Sequence, residues 1–195
     1  MDCHHWHSRT AVSSVHNAST WVVLMGLFDF KNNWRKPVAG IAVAGAVLAG
    51  FTMNWEGVVL ETYKDPVGIK TIGVGHTGAD VKDGMKITRK QAEEILIKDL
   101  QKHWDGIKGY IKVPLYEHEA MAYTDFAFNV GVGAFKKSTL LKKLNQGRYP
   151  EACAELKKWV YAGGKQLKGL VKRREAEYKL CMTEPPKEEK KDGQN

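Results

Sequence analysis

Read for its apolar positions, the chain changes character three times. Residues 1–24 show no clear period, and Pro37–Phe51, P-V-A-G-I-A-V-A-G-A-V-L-A-G-F, is apolar without a single charge. From Thr88 onward apolar residues recur at helical spacing. Thr88-x-x-Gln91 is a capping box, and Ala92, Ile95, Leu96 and Leu100 line one face of the helix it opens. Ala120, Met121, Thr124, Ala127 and Phe128 mark a second, central helix ending near residues 129–133. Ser138 opens a short third that Gly147 closes, residues 150–161 form a fourth that stops at Gly163-Gly164, and residues 168–181 form the last. Before these helices, residues 60–64 and the β-branched run 69–74 flank Asp65-Pro66-Val67-Gly68, a turn tetrapeptide with Pro second and Gly fourth. That is a small hairpin. The end, from Thr183, is charged, proline-broken and free of large apolar residues, which predicts a disordered tail over 184–195.

Candidate chemistry gathers at the hairpin. Glu56, Asp65 and Thr71 stand at the spacing E-x8-D-x5-T. Hydrolysis of a sugar polymer needs one carboxyl that gives its proton to the leaving oxygen, a second that is ionised on the other face of the sugar, and a group that holds the attacking water. Two acids and a hydroxyl meet that need, although ordinary composition produces this spacing in roughly a few per cent of chains this long. Gly57 suits a left-handed residue ending a helix, which would put Glu56 in a last helical turn facing the hairpin.

With those residues in place, E-G…Y-K-D…T-I-G-V-G-H-T-G resembles the phage-type lysozymes of glycoside hydrolase family 24. Residues 128–147, F-N-V-G-V-G-A-F-K-K-S-T-L-L-K-K-L-N-Q-G, and 159–177, W-V-Y-A-G-G-K-Q-L-K-G-L-V-K-R-R-E-A-E, resemble the rest of that domain in the same order. The resemblance implies an α+β, mainly α, lysozyme-like two-lobed fold over 53–183, with a small β-hairpin lobe, a helical lobe and the active-site cleft between them. It implies a muramidase cutting the β-1,4 bond between N-acetylmuramic acid and N-acetylglucosamine of bacterial peptidoglycan. On matching positions Glu56 is the general acid, Asp65 the carboxylate that activates or positions water, and Thr71 the hydroxyl that holds it. His76 matches a histidine that supports the site. Tyr63, beside Asp65, and Asn129, in F-N-V-G, are candidate substrate contacts, and each is equally open to a structural role. Arg173 and Arg174 are expected to pair with acidic side chains or with peptide carboxylates of the glycan strand, since a guanidinium stays protonated. A lytic transglycosylase and a catalytically silent peptidoglycan-binding phage module are the competing readings.

The apolar stretch bears on where such an enzyme works. It follows Lys31, Arg35 and Lys36, so a span over 37–52 would leave the N-terminus inside and the catalytic domain outside. Eight of the fourteen residues 38–51 are Ala or Gly, weak for a permanent anchor. The combination resembles the signal-anchor-release segment of exported phage endolysins, which places the chain first in the host inner membrane, engaging the host secretion machinery, and then in the periplasm. A signal peptide cleaved after Val47-Leu48-Ala49 and a buried Ala/Gly-rich core helix are the alternatives. Residues 1–36 read as a cytoplasmic leader, with Met25 a possible true start.

Charge and cysteines narrow the remaining classes. The net charge of +8 falls mostly between Met53 and Cys181, where 23 basic residues face 16 acidic ones. This suits an acidic wall polymer or a solvated lysine surface; no nucleic-acid motif accompanies it. No P-loop lysine follows Gly73-Val74-Gly75, and neither the histidines at 4, 5 and 7 nor the three cysteines match a metal motif, so no cofactor or metal is expected. Nothing in the sequence calls for an oligomer, and a monomer is expected. Cys153 and Cys181 fall in the last two predicted helices, and export to an oxidising compartment makes a disulfide between them reasonable; two buried thiols are the alternative.

Overall fold

The structure is a computed structural model that describes residues 45–65 and 68–184. The leader with Met25, Cys3, the first half of the apolar stretch, the turn residues Pro66 and Val67, and the tail from 185 lie outside the described residues. The second half of the apolar stretch forms helix α1 (Gly45–Met53), whose Leu48, Ala49 and Thr52 are fully buried. Its small residues let it approach the next helix closely: a Cβ on Gly45 would lie 3.2 Å from Ile97 Cγ2. No helix among the described residues is long and apolar enough to cross a membrane.

After α1 come β1 (Val59–Lys64), β2 (Lys70–Gly73) and β3 (His76–Thr77) in one antiparallel sheet of that order. Tyr63 pairs with Thr71 and Lys64 with Lys70, and the register shifts between Val59 and Tyr63. The turn forms where the sequence places it. Gly68, at φ 86°, donates its amide to the Asp65 carbonyl at 2.9 Å, a conformation that glycine adopts freely. Gly57, in contrast, is not left-handed. The helix loosens into a turn over 54–55, and the Glu56 amide still reaches the Thr52 carbonyl at 3.2 Å.

Helix α2 (Arg89–Lys108) starts at the expected capping box: Thr88 Oγ1 accepts from the Gln91 amide at 3.2 Å, and Gln91 Oε1 accepts from the Thr88 amide at 2.7 Å. It serves two cores. Ala92 and Ile95 pack with Ile72, Val81 and Ile87 beneath the hairpin, while Leu96, Leu100, Trp104 and Ile107 enter the large helical core. That division makes the two lobes. Helix α3 (Glu117–Val130) runs through the large core with ten of its fourteen residues buried, packing on α1 and α2. Gly131 interrupts the chain at φ 88°, and a short α4 (Val132–Lys137), absent from the sequence reading, resumes it. Ser138 caps α5 (Thr139–Leu144).

The fourth predicted helix is shorter than expected. It is α6 (Tyr149–Glu155), extended by one 3₁₀ turn (Leu156–Lys158). Beyond it β4 (Tyr161–Ala162) and β5 (Lys165–Gln166) form a second hairpin. Gly163 and Gly164, at φ 56° and 74°, are its two-residue tip and not a helix stop. Two consecutive left-handed residues match the twist of paired strands, which is why the pair makes a hairpin. Helix α7 (Lys168–Cys181) follows and packs along α3.

Cys153 on α6 and Cys181 at the end of α7 are joined by a disulfide across Cα atoms 5.8 Å apart, and the Tyr123 hydroxyl on α3 lies 3.4 Å from Cys181 Sγ. The bridge closes a loop spanning 28 positions. Replacing both cysteines with alanine is expected to lower unfolding stability by about 3.5 kcal/mol, the loop-closure entropy of a loop that size. Urea unfolding of the oxidised protein and the double variant measures it; equal stabilities would show that the bridge constrains nothing.

Candidate active site

Glu56 leaves the end of α1 on a backbone still bonded to the helix, with the Trp55 amide 3.0 Å from the Thr52 carbonyl. Its side chain remains 22% exposed, yet its Oε1 accepts a hydrogen bond from Nη1 of Arg173, which is almost wholly buried. The same guanidinium donates through Nε and Nη2 to the two oxygens of Asp125, at 3.1 and 3.0 Å. Thr52 Oγ1, four residues before Glu56, lies 2.7 Å from Asp125 Oδ1, to which it donates. A closed circuit results: Thr52 and Glu56 leave α1, and Asp125 and Arg173 join them across α3 and α7.

Two further groups complete the cluster. Glu177 Oε1 lies 3.3 Å from Arg173 Nε, and Glu177 Oε2 accepts from Arg174 Nη1 at 2.9 Å. Arg174 also donates through Nη2 to Asn129 Oδ1 and stands over the Phe126 ring, 5.0 Å from its centroid. Asp125, Arg174 and Glu177 are inaccessible to solvent. Burial alone would push Asp125 up, but Arg173, with hydrogen bonds from Glu177 and Thr52, outweighs it and holds Asp125 below the ordinary carboxylate range. For Glu177 burial wins. It is raised well above that range, with Asp125 adding to the effect and the two arginines opposing it.

Of the other candidates, Asp65, Thr71, Tyr63 and His76 stand on the hairpin lobe. Asp65 follows β1, and its Oδ1 accepts from the Ile69 amide at 2.7 Å, which fixes the carboxylate across the turn. Thr71, nearly buried on β2, donates its hydroxyl to the Ile69 carbonyl at 3.1 Å. Tyr63 is its cross-strand partner and is exposed. Asn129, expected at the glycan, gives its amide oxygen to Arg174 inside the cluster. His76 is held from both ring nitrogens: Nδ1 lies 2.8 Å from Asp99 Oδ2 on α2, and Nε2 3.0 Å from Asp80 Oδ2. It fastens β3 to the long helix.

Sequence reasoning did not single out Thr52, Asp125 or Glu177. Signals for them existed. Thr52 ends a run without polar side chains except its own, Asp125 interrupts A-M-A-Y-T-D-F-A-F, and Glu177 stands three and four residues beyond Arg174 and Arg173. Nothing in the sequence says that the three meet.

Known proteins resemble this chain in sequence and in fold. The family model described as phage lysozyme matches residues 53–177. A protein named SAR-endolysin from Bacteriophage PS119 is 44% identical over 156 residues, which cover 78% of this chain and 93% of that protein. Among solved structures, a P22 lysozyme mutant superposes with TM-score 0.65 at 37% identity, over 70% of this chain and 96% of its own. The active form of P1 phage endolysin Lyz superposes with TM-score 0.58 at 25% identity, over 87% and 95%.

The His76 contacts carry a pH signature. Burial works against the imidazolium, but the hydrogen bonds to Asp80 and Asp99 and their charges outweigh it, so the folded-state pKa lies above the ordinary value of 6.5. A raised pKa means that the stabilisation is full below about pH 6.5 and is lost as pH rises through the folded value. His76→Asn is therefore expected to cost on the order of 1 kcal/mol at pH 5.5, given the exposure of Asp80, and less at pH 9. Thermal unfolding of both proteins at the two pH values measures it; a cost that grows with pH contradicts the assignment.

Proposed function

Because the chain belongs to the phage lysozyme family, we propose that this endolysin, whose action is lysis of the bacterial cell wall, hydrolyses the β-1,4 bond between N-acetylmuramic acid and N-acetylglucosamine in peptidoglycan by single displacement. Glu56 donates its proton to the glycosidic oxygen as the bond from that oxygen to the anomeric carbon breaks. A water held by Thr71 and Asp65 adds to the same carbon from the opposite face, and Asp65 takes the proton that the water loses. The observation that carries this reading is the setting of Glu56, a part-exposed carboxyl fastened by one oxygen to a buried guanidinium. Its Oε2 has no hydrogen bond among the described residues. That oxygen is the one that carries the proton. Thr71 has its hydroxyl hydrogen committed to Ile69, so its lone pairs are turned to accept from a water. Tyr63, exposed opposite Thr71, offers a ring to the sugar.

Export by a signal-anchor-release segment fits the same residues. The relative from Bacteriophage PS119 bears the name SAR-endolysin, and basic residues precede the apolar stretch here. Leu48 and Ala49 fill the protein core, and Thr52 binds Asp125; none of these side chains can do so while it lies in lipid. With α1 in the host inner membrane, Glu56 therefore lacks the frame that the docked helix gives it, and activity begins when the segment leaves the bilayer for the periplasm. Replacing 38–51 by leucines should hold the chain in the membrane and leave cells intact; lysis by the anchored form would refute the coupling.

Clearing of peptidoglycan suspensions tests the chemistry. Glu56→Gln is expected to reduce clearing at least ~10²-fold, the usual contribution of a general acid. Asp65→Ala should likewise lose most activity, and reducing-end analysis should give hydrolysed ends; full activity with 1,6-anhydro products would assign a lytic transglycosylase instead.

A further inference from the structure

Arg173 touches three carboxyls at once: Glu56 through Nη1, Asp125 through Nη2 and Nε, and Glu177 beside Nε. Arg174, the second guanidinium, reaches Glu177 as well. Two fixed positive charges therefore stand against three ionisable carboxyls in a space closed to water on every side but that of Glu56. A buried net charge is strongly unfavourable, so the cluster is balanced when the three carboxyls hold one proton among them. Asp125 does not hold it. Both its oxygens accept from Arg173 and one also accepts from Thr52, bonds that favour the ionised form. The proton is left to Glu56 or Glu177. Glu177 Oε1 is buried and accepts no hydrogen bond among the described residues, with Asp125 as a neighbour able to accept from it, so a proton has a place there. Among the described residues, no other charged side chain pairs with this cluster. Lys157 of the 3₁₀ turn is turned to Glu175 at 3.1 Å, Glu155 on α6 is tied to Lys143 and Lys158, and α6 is joined to α7 by the uncharged disulfide.

We propose that Glu177 is a positioning residue for the reaction, the buried partner that takes the negative charge when Glu56 takes the proton. This rests on Glu56 being the general acid. An arginine against a lone carboxyl would favour its ionised form and so oppose general-acid catalysis. Here the two carboxyls share the guanidinium, and moving the proton from Glu177 to Glu56 leaves the buried charge at zero. After Glu56 has given its proton to the leaving oxygen, a proton returning from water restores the count.

Glu177→Gln keeps the shape and fixes the site as neutral, so a protonated Glu56 would leave the cluster with an uncompensated positive charge. On solubilised peptidoglycan strands the variant is expected to show kcat reduced about tenfold at pH 7 with KM little changed, a part of the ~10²–10⁴-fold that a general acid contributes. The alkaline fall of kcat should move to lower pH, and activity should return toward that of the unmodified protein near pH 5. A kcat ratio that is the same at every pH, whether unity or a constant fraction, overturns the proposal. The reciprocal measurement does not depend on that variant folding. With Glu56→Gln, the ¹³C carboxyl resonance of Glu177 should titrate at lower pH than in the unmodified protein, and an unchanged titration equally overturns it. Glu56→Gln that still clears peptidoglycan would instead remove the acid assignment itself, so the two failures are distinguishable.

Discussion

A single guanidinium, that of Arg173, holds together the parts of this protein that chain order keeps apart. Glu56 is 117 positions away from it and Asp125 is 48. Removing two cations and three carboxyls from water is unfavourable by several kcal/mol per ion, and mutual attraction offsets that only when the hydrogen bonds are met and the charges balance. The network therefore contributes specificity more than stability. A helix α7 rotated by one residue would lose the pairing with Asp125 and leave charges buried without partners. The disulfide at the far end of α7 and the packing of α7 on α3 fix that rotation from the apolar side.

The same constraint reaches α1. Its alanines and glycines are poor material for a permanent bilayer anchor and good material for close helix packing, as the approach of Gly45 to Ile97 shows. Gly45, Leu48, Ala49 and Thr52 present one face, apolar for nearly two turns and polar at its end, and the polar end meets Asp125 beside the Arg173 that binds Glu56. Docking of this helix and placement of Glu56 are one event, because only three residues separate Thr52 from Glu56 and the backbone between them remains hydrogen-bonded to the helix. Weak hydrophobicity, a defect in a permanent anchor, suits a helix whose small residues pack closely in a protein interior.

The hairpin lobe is held more lightly. Its core is small, β1 is largely exposed, and the lobe is fastened to the helices by the shared length of α2 and by His76 between Asp80 and Asp99. Asp65 and Thr71 owe their local geometry to the turn itself, through the Ile69 amide and carbonyl. Glu56 thus belongs to a largely buried frame, and Asp65 and Thr71 to a turn.

What the sequence determined by itself was local. The capping box at Thr88, the turn at Asp65–Gly68, the span of α7 and the spacing of Glu56, Asp65 and Thr71 are all written within a few residues, where backbone preference and side-chain period act. Local rules also misled. Gly57 and the pair Gly163-Gly164 were both read as helix ends, but glycine permits a left-handed residue without requiring one, and whether the next residues find a strand partner is decided elsewhere. Only the tertiary structure decided that half of the apolar stretch is a core helix, that Asn129 serves Arg174, and that Thr52, Asp125, Arg173 and Glu177 converge on Glu56. The reason is physical. A buried charge is tolerable only beside its counter-charges, and their identity depends on which helices pack together, which the linear spacing of the residues does not record.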